Sequence, residues 1–210
     1  MLEELEKEYQ KMQNKYGDKS LDSILFGGKK NNPDICFVFM NPTGKNIASS
    51  KEWKGIKSPW IGTKNIWSLF YQVGVLSKET LEEIKQKKGK DWTEDFAKEV
   101  YQELEKNNVY ITNLAKCTQI DARPLKDEVY KKYLNLFFKE LEIVKPKKII
   151  LFGNQVSSIV LNEKISVSTT RKKEFVYNNY RFYPVYYPVG NGLFNIDKAI
   201  EDIKFIINKQ

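Results

Sequence analysis

Residues 35–44 read Ile35-Cys36-Phe37-Val38-Phe39-Met40-Asn41-Pro42-Thr43-Gly44, and the reading of this stretch decides the fold. Its first five residues are an unbroken apolar run, entered from the turn-forming Asn31-Asn32-Pro33-Asp34 and left at Asn41-Pro42. A run so short and so bounded reads as a strand buried on both faces. Val109–Thr112, Ile149–Phe152 and, more loosely, Phe182–Tyr187 have the same character.

Amphipathic helical stretches separate these runs: Asn65–Val73, Lys78–Lys87, Glu94–Lys106, Lys126–Val144 and Gln155–Leu161, with Ile196–Ile207 closing the chain. Before the first run, a Lys/Glu-rich helix ends near Gly17. A short helix is expected over Ser20–Phe26, with Ser20 as N-cap and Gly27-Gly28 as its stop. Strands alternating with helices predict an α/β fold, a three-layer αβα sandwich on a central, mainly parallel four-stranded sheet. With no repeat and no low-complexity linker, residues 1–210 read as a single domain whose residues 1–19 are an N-terminal helical extension. In such sheets ligands bind beyond the carboxyl ends of the strands. The loops there are the unusual parts of this chain: MNPTG, NLAKC, GNQ and YPVGNG.

Composition narrows the chemistry. The 210 residues include no histidine, which excludes an imidazole base and with it Ser-His-Asp and Cys-His hydrolysis. Two cysteines, Cys36 and Cys117, do not make a zinc or iron–sulfur ligand set, so neither metal nor cofactor is expected. The 35 basic residues outnumber the 27 acidic ones for a net charge of +8, a balance that favours a polyanionic partner and equally fits a lysine-rich proteome. No apolar run approaches the ~20 residues of a membrane span, and the N-terminus does not read as a signal peptide. A monomer in the cytoplasm, associated with the nucleoid and not with a membrane, is the expectation.

The strand-end loops resemble those of the uracil-DNA glycosylase superfamily, over roughly Ser20 to the C-terminus. Met40-Asn41-Pro42-Thr43-Gly44 resembles the first motif of the mismatch-specific and single-strand-selective branches, with Phe39 and Thr43 standing where those branches carry glycine. Ser58-Pro59-Trp60-Ile61-Gly62 and Ile111-Thr112-Asn113-Leu114-Ala115-Lys116-Cys117 are similar to segments of the thermophilic branch. Pro146–Gly153 is similar to the third-strand signature, and Tyr187-Pro188-Val189-Gly190-Asn191 takes the place of the His-Pro-Ser or Asn-Pro-Ser motif. Cys117 matches one cluster cysteine of the thermophilic branch, but its three companions are missing.

The resemblance implies a DNA glycosylase that flips out a deaminated base, uracil or hypoxanthine, from duplex or single-stranded DNA and excises it by hydrolysis. The departures leave open a DNA- or modified-base-binding protein that does not cut. Such a site must place a water below the sugar, stabilise the departing base and hold the nucleotide outside the stack. Asn41 and Tyr187 are the catalytic candidates. The Asn41 amide can orient water but is no general base, and Tyr187 offers a hydrogen bond where an imidazole is expected. Each residue also has a plainer reading, Asn41 as a turn residue before Pro42 and Tyr187 as packing.

Met40, Trp60 and Asn113 are candidates for binding the base: Trp60 by stacking, Asn113 because its amide both donates and accepts. Trp60 equally fits a core position, and Asn113 a loop cap. Thr43, Gly44, Lys45, Lys116, Gly190, Asn191 and Leu193 are the DNA-contact candidates, with Lys64 and Ser49-Ser50-Lys51 as further phosphate contacts. Leu193 or Phe194 would be the wedge that fills the gap left by the flipped nucleotide. A nucleotide-binding reading of Thr43-Gly44-Lys45 fails on spacing, since a Walker loop needs a glycine, four residues, then Gly-Lys-Ser/Thr.

Overall fold

The computed structural model describes residues 2–122 and 125–209. Its elements, in chain order, are α1 (Leu2–Tyr16), β1 (Phe26–Gly28), β2 (Ile35–Phe39), α2 (Asn65–Gln72), α3 (Lys78–Gln86), α4 (Glu94–Lys106), β3 (Val109–Asn113), α5 (Asp127–Val144), β4 (Lys148–Phe152), α6 (Asn154–Leu161), α7 (Val167–Thr170), β5 (Phe175–Tyr177), β6 (Tyr180–Val185) and α8 (Ile196–Asn208). Three short 3-10 segments, Ile47–Ser49, Gly89–Asp91 and Gly190–Asn195, lie in the connections. No helix among the described residues is long and apolar enough to cross a membrane.

The fold is α/β with a central sheet flanked by helices, but the sheet has six strands of mixed orientation, not four. Its order is β1-β3-β2-β4-β6-β5. The four anticipated runs form the parallel centre, and the antiparallel edge strands β1 and β5 were not foreseen. Both are three residues long, too short to show an alternating pattern.

The pleat divides the core in two. Ile35, Phe37 and Phe39 of β2, Val109 and Ile111 of β3, Ile150 and Phe152 of β4, and Tyr183 and Val185 of β6 face one side. There they meet α2, α3, α4 and α8 through residues such as Trp67, Phe70, Leu81, Leu104 and Ile203. Cys36, Val38, Tyr110, Ile149, Leu151 and Phe182 face the other side, against Tyr9 of α1, Tyr133 and Phe137 of α5 and Val156 of α6. Period-2 alternation in the strands and period-3.6 stripes in the helices thus produce helix layers on both faces.

The helix expected over Ser20–Phe26 is absent. The Asp18 carboxylate accepts from Ser20 N at 2.8 Å, and the chain then runs extended, pairing its backbone with distant partners: Asp22 N to Ser49 O at 2.8 Å, Ile24 N to Lys116 O at 3.1 Å and Leu25 N to Lys57 O at 2.7 Å. A helix of two turns is costly to nucleate, and these tertiary hydrogen bonds outcompete it. α1 packs along α5, placing Leu5, Tyr9 and Gln13 on one buried stripe.

Chain order places a topological switch point at the middle of the sheet. From β2 the chain moves to β3 on one side, whereas from β4 it moves to β6 on the other. The connections leaving β2 and β4 therefore part company at Phe39-Met40-Asn41 and at Gly153, which is where open α/β sheets place a ligand crevice, beyond the carboxyl ends of the strands.

Candidate active site

The strand-end loops that the sequence singled out converge on this crevice. Phe39 is the last residue of β2 and sits in register with Asn113, the last residue of β3. Beyond them the two chains continue to pair: Leu114 N donates to Phe39 O at 2.8 Å, Ala115 N to Met40 O at 3.0 Å, Gln119 N to Pro42 O at 3.1 Å and Gly44 N to Gln119 O at 2.8 Å. The 40–44 and 114–119 loops are thereby zipped together, with Thr43 bridged to Gln119. Thr43 is half-buried there, whereas Gly44 and Lys45 stand exposed.

Phe39 forms an aromatic floor. Its ring stacks on Phe152 at 4.6 Å and meets Trp60 edge-on at 5.0 Å and Tyr187 edge-on at 6.5 Å. Packing explains why an aromatic residue stands where the resemblance expects glycine: Phe39 is fully buried and joins three loops. Trp60 is held at φ 71°, a left-handed conformation that costs a bulky residue on the order of 1–3 kcal/mol. Its carbonyl accepts from Thr63 N at 3.1 Å and Thr63 Oγ1 at 2.7 Å, which pin that conformation. Strain maintained in this way concentrates at functional sites.

Two buried donors in this group have no hydrogen-bond partner: Asn113 Nδ2 and the indole Nε1 of Trp60. A buried N–H without an acceptor costs about 1–3 kcal/mol. The Trp67 and Trp92 indoles are unpartnered too, inside the core; Asn113 and Trp60 differ from them in standing at the carboxyl ends of the strands, where a ligand could supply acceptors.

Asn41 is partly buried, and both ends of its amide are engaged. Its Oδ1 accepts from Tyr130 Oη at 2.6 Å and its Nδ2 donates to the Pro42 carbonyl at 3.2 Å. Tyr130, on α5, was not singled out from sequence. Its place in the apolar stripe with Tyr133 and Phe137 reads as core, and 89 residues separate it from Asn41. Burial raises its phenol well above the usual tyrosine range, with a smaller contribution from nearby Tyr187. Burial likewise raises Tyr187. Both hydroxyls therefore stay protonated near neutral pH and remain available as donors.

Tyr187 follows β6 and lies over the β4–α6 turn. Gly153 opens that turn at φ 89°, and a side chain there would meet Tyr187 Cβ at 3.5 Å. The 190–195 segment then projects Leu193, 48% exposed, and Phe194, 92% exposed. Gly190 and Asn191 are exposed beside them. At Gly192 a Cβ would lie 1.7 Å from the Tyr187 carbonyl oxygen, so only glycine allows this close approach.

Lys116 is not a DNA contact. It is fully buried, its ammonium 2.9 Å from Glu140 Oε2, 2.6 Å from Thr112 Oγ1 and 2.5 Å from Asn113 O. Glu140, equally buried, also accepts from Tyr9 at 2.6 Å, Tyr110 at 3.0 Å and Thr112 at 2.6 Å. The alternation of β3 sends Thr112 into this network and Asn113 to the opposite face, beside Phe39. Lys116 thus braces the carboxyl end of β3 from below. Among the secondary candidates, Ser49 is buried and its Oγ donates to Asn46 O at 2.7 Å, whereas Lys51 and Lys64 are exposed, their ammonium groups donating to Lys19 O at 2.8 Å and to Lys85 O.

Met40 is half-buried and packs against the α5 side of the core, away from the aromatic floor. Cys117 is buried beside Gln119, and Cys36 lies inside β2. With two thiols in the whole chain, the residues do not fit the four-thiolate iron–sulfur cluster of the thermophilic branch. A groove of about 440 Å³ runs along β1, lined by Gly28, Lys30, Lys57, Tyr101 and Glu105, but it has mixed charge and shares no residue with this crevice.

The family described as the Uracil DNA glycosylase superfamily matches residues 27–198, from β1 into α8. The chain belongs to that superfamily. Members of the superfamily are generally DNA glycosylases, hydrolases of DNA repair that act on DNA. Every element of the crevice lies within the matched residues, and α1 lies outside them.

Proposed function

We propose that the chain is a monofunctional DNA glycosylase that extrudes a deaminated base, uracil or hypoxanthine, into the crevice between β2 and β4 and releases it by hydrolysis. The observation that carries this reading is the buried, unpartnered Asn113 Nδ2 beside the aromatic floor. Both deaminated bases present a carbonyl oxygen where the parent base carries an amino group, and an orphaned amide donor selects the oxygen. Trp60 Nε1 adds a second donor, and the partly buried Trp60 ring, backed by the fully buried Phe39, supplies a face for the base.

Hydrolysis breaks the bond from the sugar C1′ to the base nitrogen. Water adds its oxygen to C1′, and the base leaves with a proton as the free nucleobase. Positive charge develops on the sugar and negative charge on the base. Asn41 orients the water through its carbonyl oxygen. Tyr187 donates toward the anionic base, a weaker stabilisation than an imidazolium would give. Lys45, Thr43, Gly44, Gly190 and Asn191 are the groups that would meet the backbone of an approaching strand, and Leu193 with Phe194 would fill the vacated stack.

Incubation with labelled duplexes carrying U·G, U·A or hypoxanthine·T, and with single-stranded uracil DNA, followed by alkaline cleavage, tests the reading. Strand breaks that disappear in Asn41→Ala are expected; no abasic product from any substrate would refute it. One observation favours a second reading, a protein that binds the modified base without cutting: both ends of the Asn41 amide are already hydrogen-bonded. Tight, salt-sensitive binding of uracil DNA without product would select it.

A further inference from the structure

The short contact between α5 and the 40–44 loop gives a residue outside the recognised loops a role in the reaction. An asparagine amide has an acceptor end and a donor end, and a half-turn about Cβ–Cγ exchanges them. Only the acceptor end can accept a hydrogen bond from an attacking water and so orient it. In this chain Tyr130 Oη donates to Asn41 Oδ1 at 2.6 Å while Asn41 Nδ2 donates to Pro42 O at 3.2 Å, so each end meets a partner of the right polarity. The flipped amide would set Oδ1 against the Pro42 carbonyl, losing that bond, and would turn Tyr130 Oη from donor to acceptor, so that the proton of a buried hydroxyl loses the acceptor it now has. The Tyr130 donation occupies one lone pair of Oδ1 and leaves the other for water.

We propose that Tyr130 is a positioning residue for the glycosylase reaction: it locks the Asn41 amide with its carbonyl oxygen as the water-facing group. The proposal rests on the reading of Asn41 as the residue that orients water. Tyr130 is buried on α5, a helix also held by Glu140 to β3, so the hydroxyl is presented from a rigid element. Its phenol stays protonated across the pH range in which a glycosylase works, so the lock does not titrate there.

The test is Tyr130→Phe in the full chain, followed by single-turnover cleavage of a uracil duplex. Loss of one amide-orienting hydrogen bond should lower the rate constant about 3- to 10-fold with substrate affinity unchanged. The same substitution in an Asn41→Asp background, assayed near pH 8, should change the rate less than about 2-fold, because two equivalent carboxylate oxygens have no orientation to hold. An equal fall in both backgrounds would mark a merely structural tyrosine and overturn the proposal, as would no fall in either. A readout free of activity separates this outcome from failure of the glycosylase reading. The ¹³Cγ resonance of Asn41 should shift upfield in Tyr130→Phe, since its carbonyl loses a donor. A shift in a protein that cuts nothing retains the lock and sinks the enzyme reading; an unmoved resonance sinks the lock itself.

Discussion

Removing the ammonium from the buried cluster below β3 is the sharpest test of how the site is supported. Lys116→Met keeps the aliphatic stem and deletes a charge that lies 2.9 Å from Glu140, both side chains being fully buried. The substitution also leaves Asn113 O and one lone pair of Thr112 Oγ1 without a donor. Breaking a buried pair by removing one partner costs about 3–5 kcal/mol. Here Tyr9, Tyr110 and Thr112 continue to solvate the carboxylate, which puts the expected loss near the lower end, about 3 kcal/mol. That is a large share of the roughly 5–15 kcal/mol that holds a domain folded. With a urea slope of about 2–3 kcal/mol per molar, the midpoint should fall by roughly 1–1.5 M. Glu140→Gln should cost a similar amount, and the double variant should recover at least about 2 kcal/mol relative to the sum of the singles, because neither charge is then stranded. A single Lys116→Met within about 0.5 kcal/mol of the parent, or strict additivity in the double variant, would refute the claim that this pair braces β3.

Phe194→Ala should leave stability within about 0.5 kcal/mol, since the ring is 92% exposed, yet lower cleavage of duplex uracil at least about 10-fold more than cleavage of single-stranded uracil. Equal loss on both substrates would deny the wedge. Gly192→Ala should cost about 1–3 kcal/mol by thermal melting and depress activity, because the added methyl collides with the Tyr187 carbonyl at 1.7 Å; a neutral variant would show that the loop has room to move. Alkaline pH should unfold the protein. Burial raises the phenols of Tyr9, Tyr101, Tyr110, Tyr130 and Tyr133, so above pH ~10 the unfolded chain releases these protons first. Each such phenol then removes about 1.4 kcal/mol of stability per pH unit, while below pH ~10 its contribution is intact. Urea melts at pH 9 and 11 would measure the slope, and a flat profile would contradict the burial of these hydroxyls.

Much of the molecule was legible in the chain because its signals are local. The run Ile35–Phe39 is apolar at every position since β2 is covered on both faces, and α2 to α6 carry stripes with the helical period. Asn41, Trp60, Asn113 and Tyr187 were recognisable because each follows a strand or belongs to a quoted motif, and the fold brings their loops to one end of the sheet. β1 and β5 were missed for want of length, and residues 20–26 were misread as helix because their backbone partners, Ser49, Lys57 and Lys116, are distant in sequence.

What the sequence alone determined is therefore the alternation of strands and helices, the exclusion of histidine chemistry and the identity of the strand-end loops. The tertiary structure decided which polar groups are satisfied and by whom. Lys116 changed from a phosphate contact to a buried cation because Glu140, 24 residues away, waits behind β3. Asn41 acquired an orientation because Tyr130 reaches it from α5. Asn113 was left with an open donor because strand alternation turns it away from the network that claims Thr112. Periodicity is written in neighbouring residues, whereas hydrogen-bond satisfaction depends on partners that only folding brings within 3 Å or so.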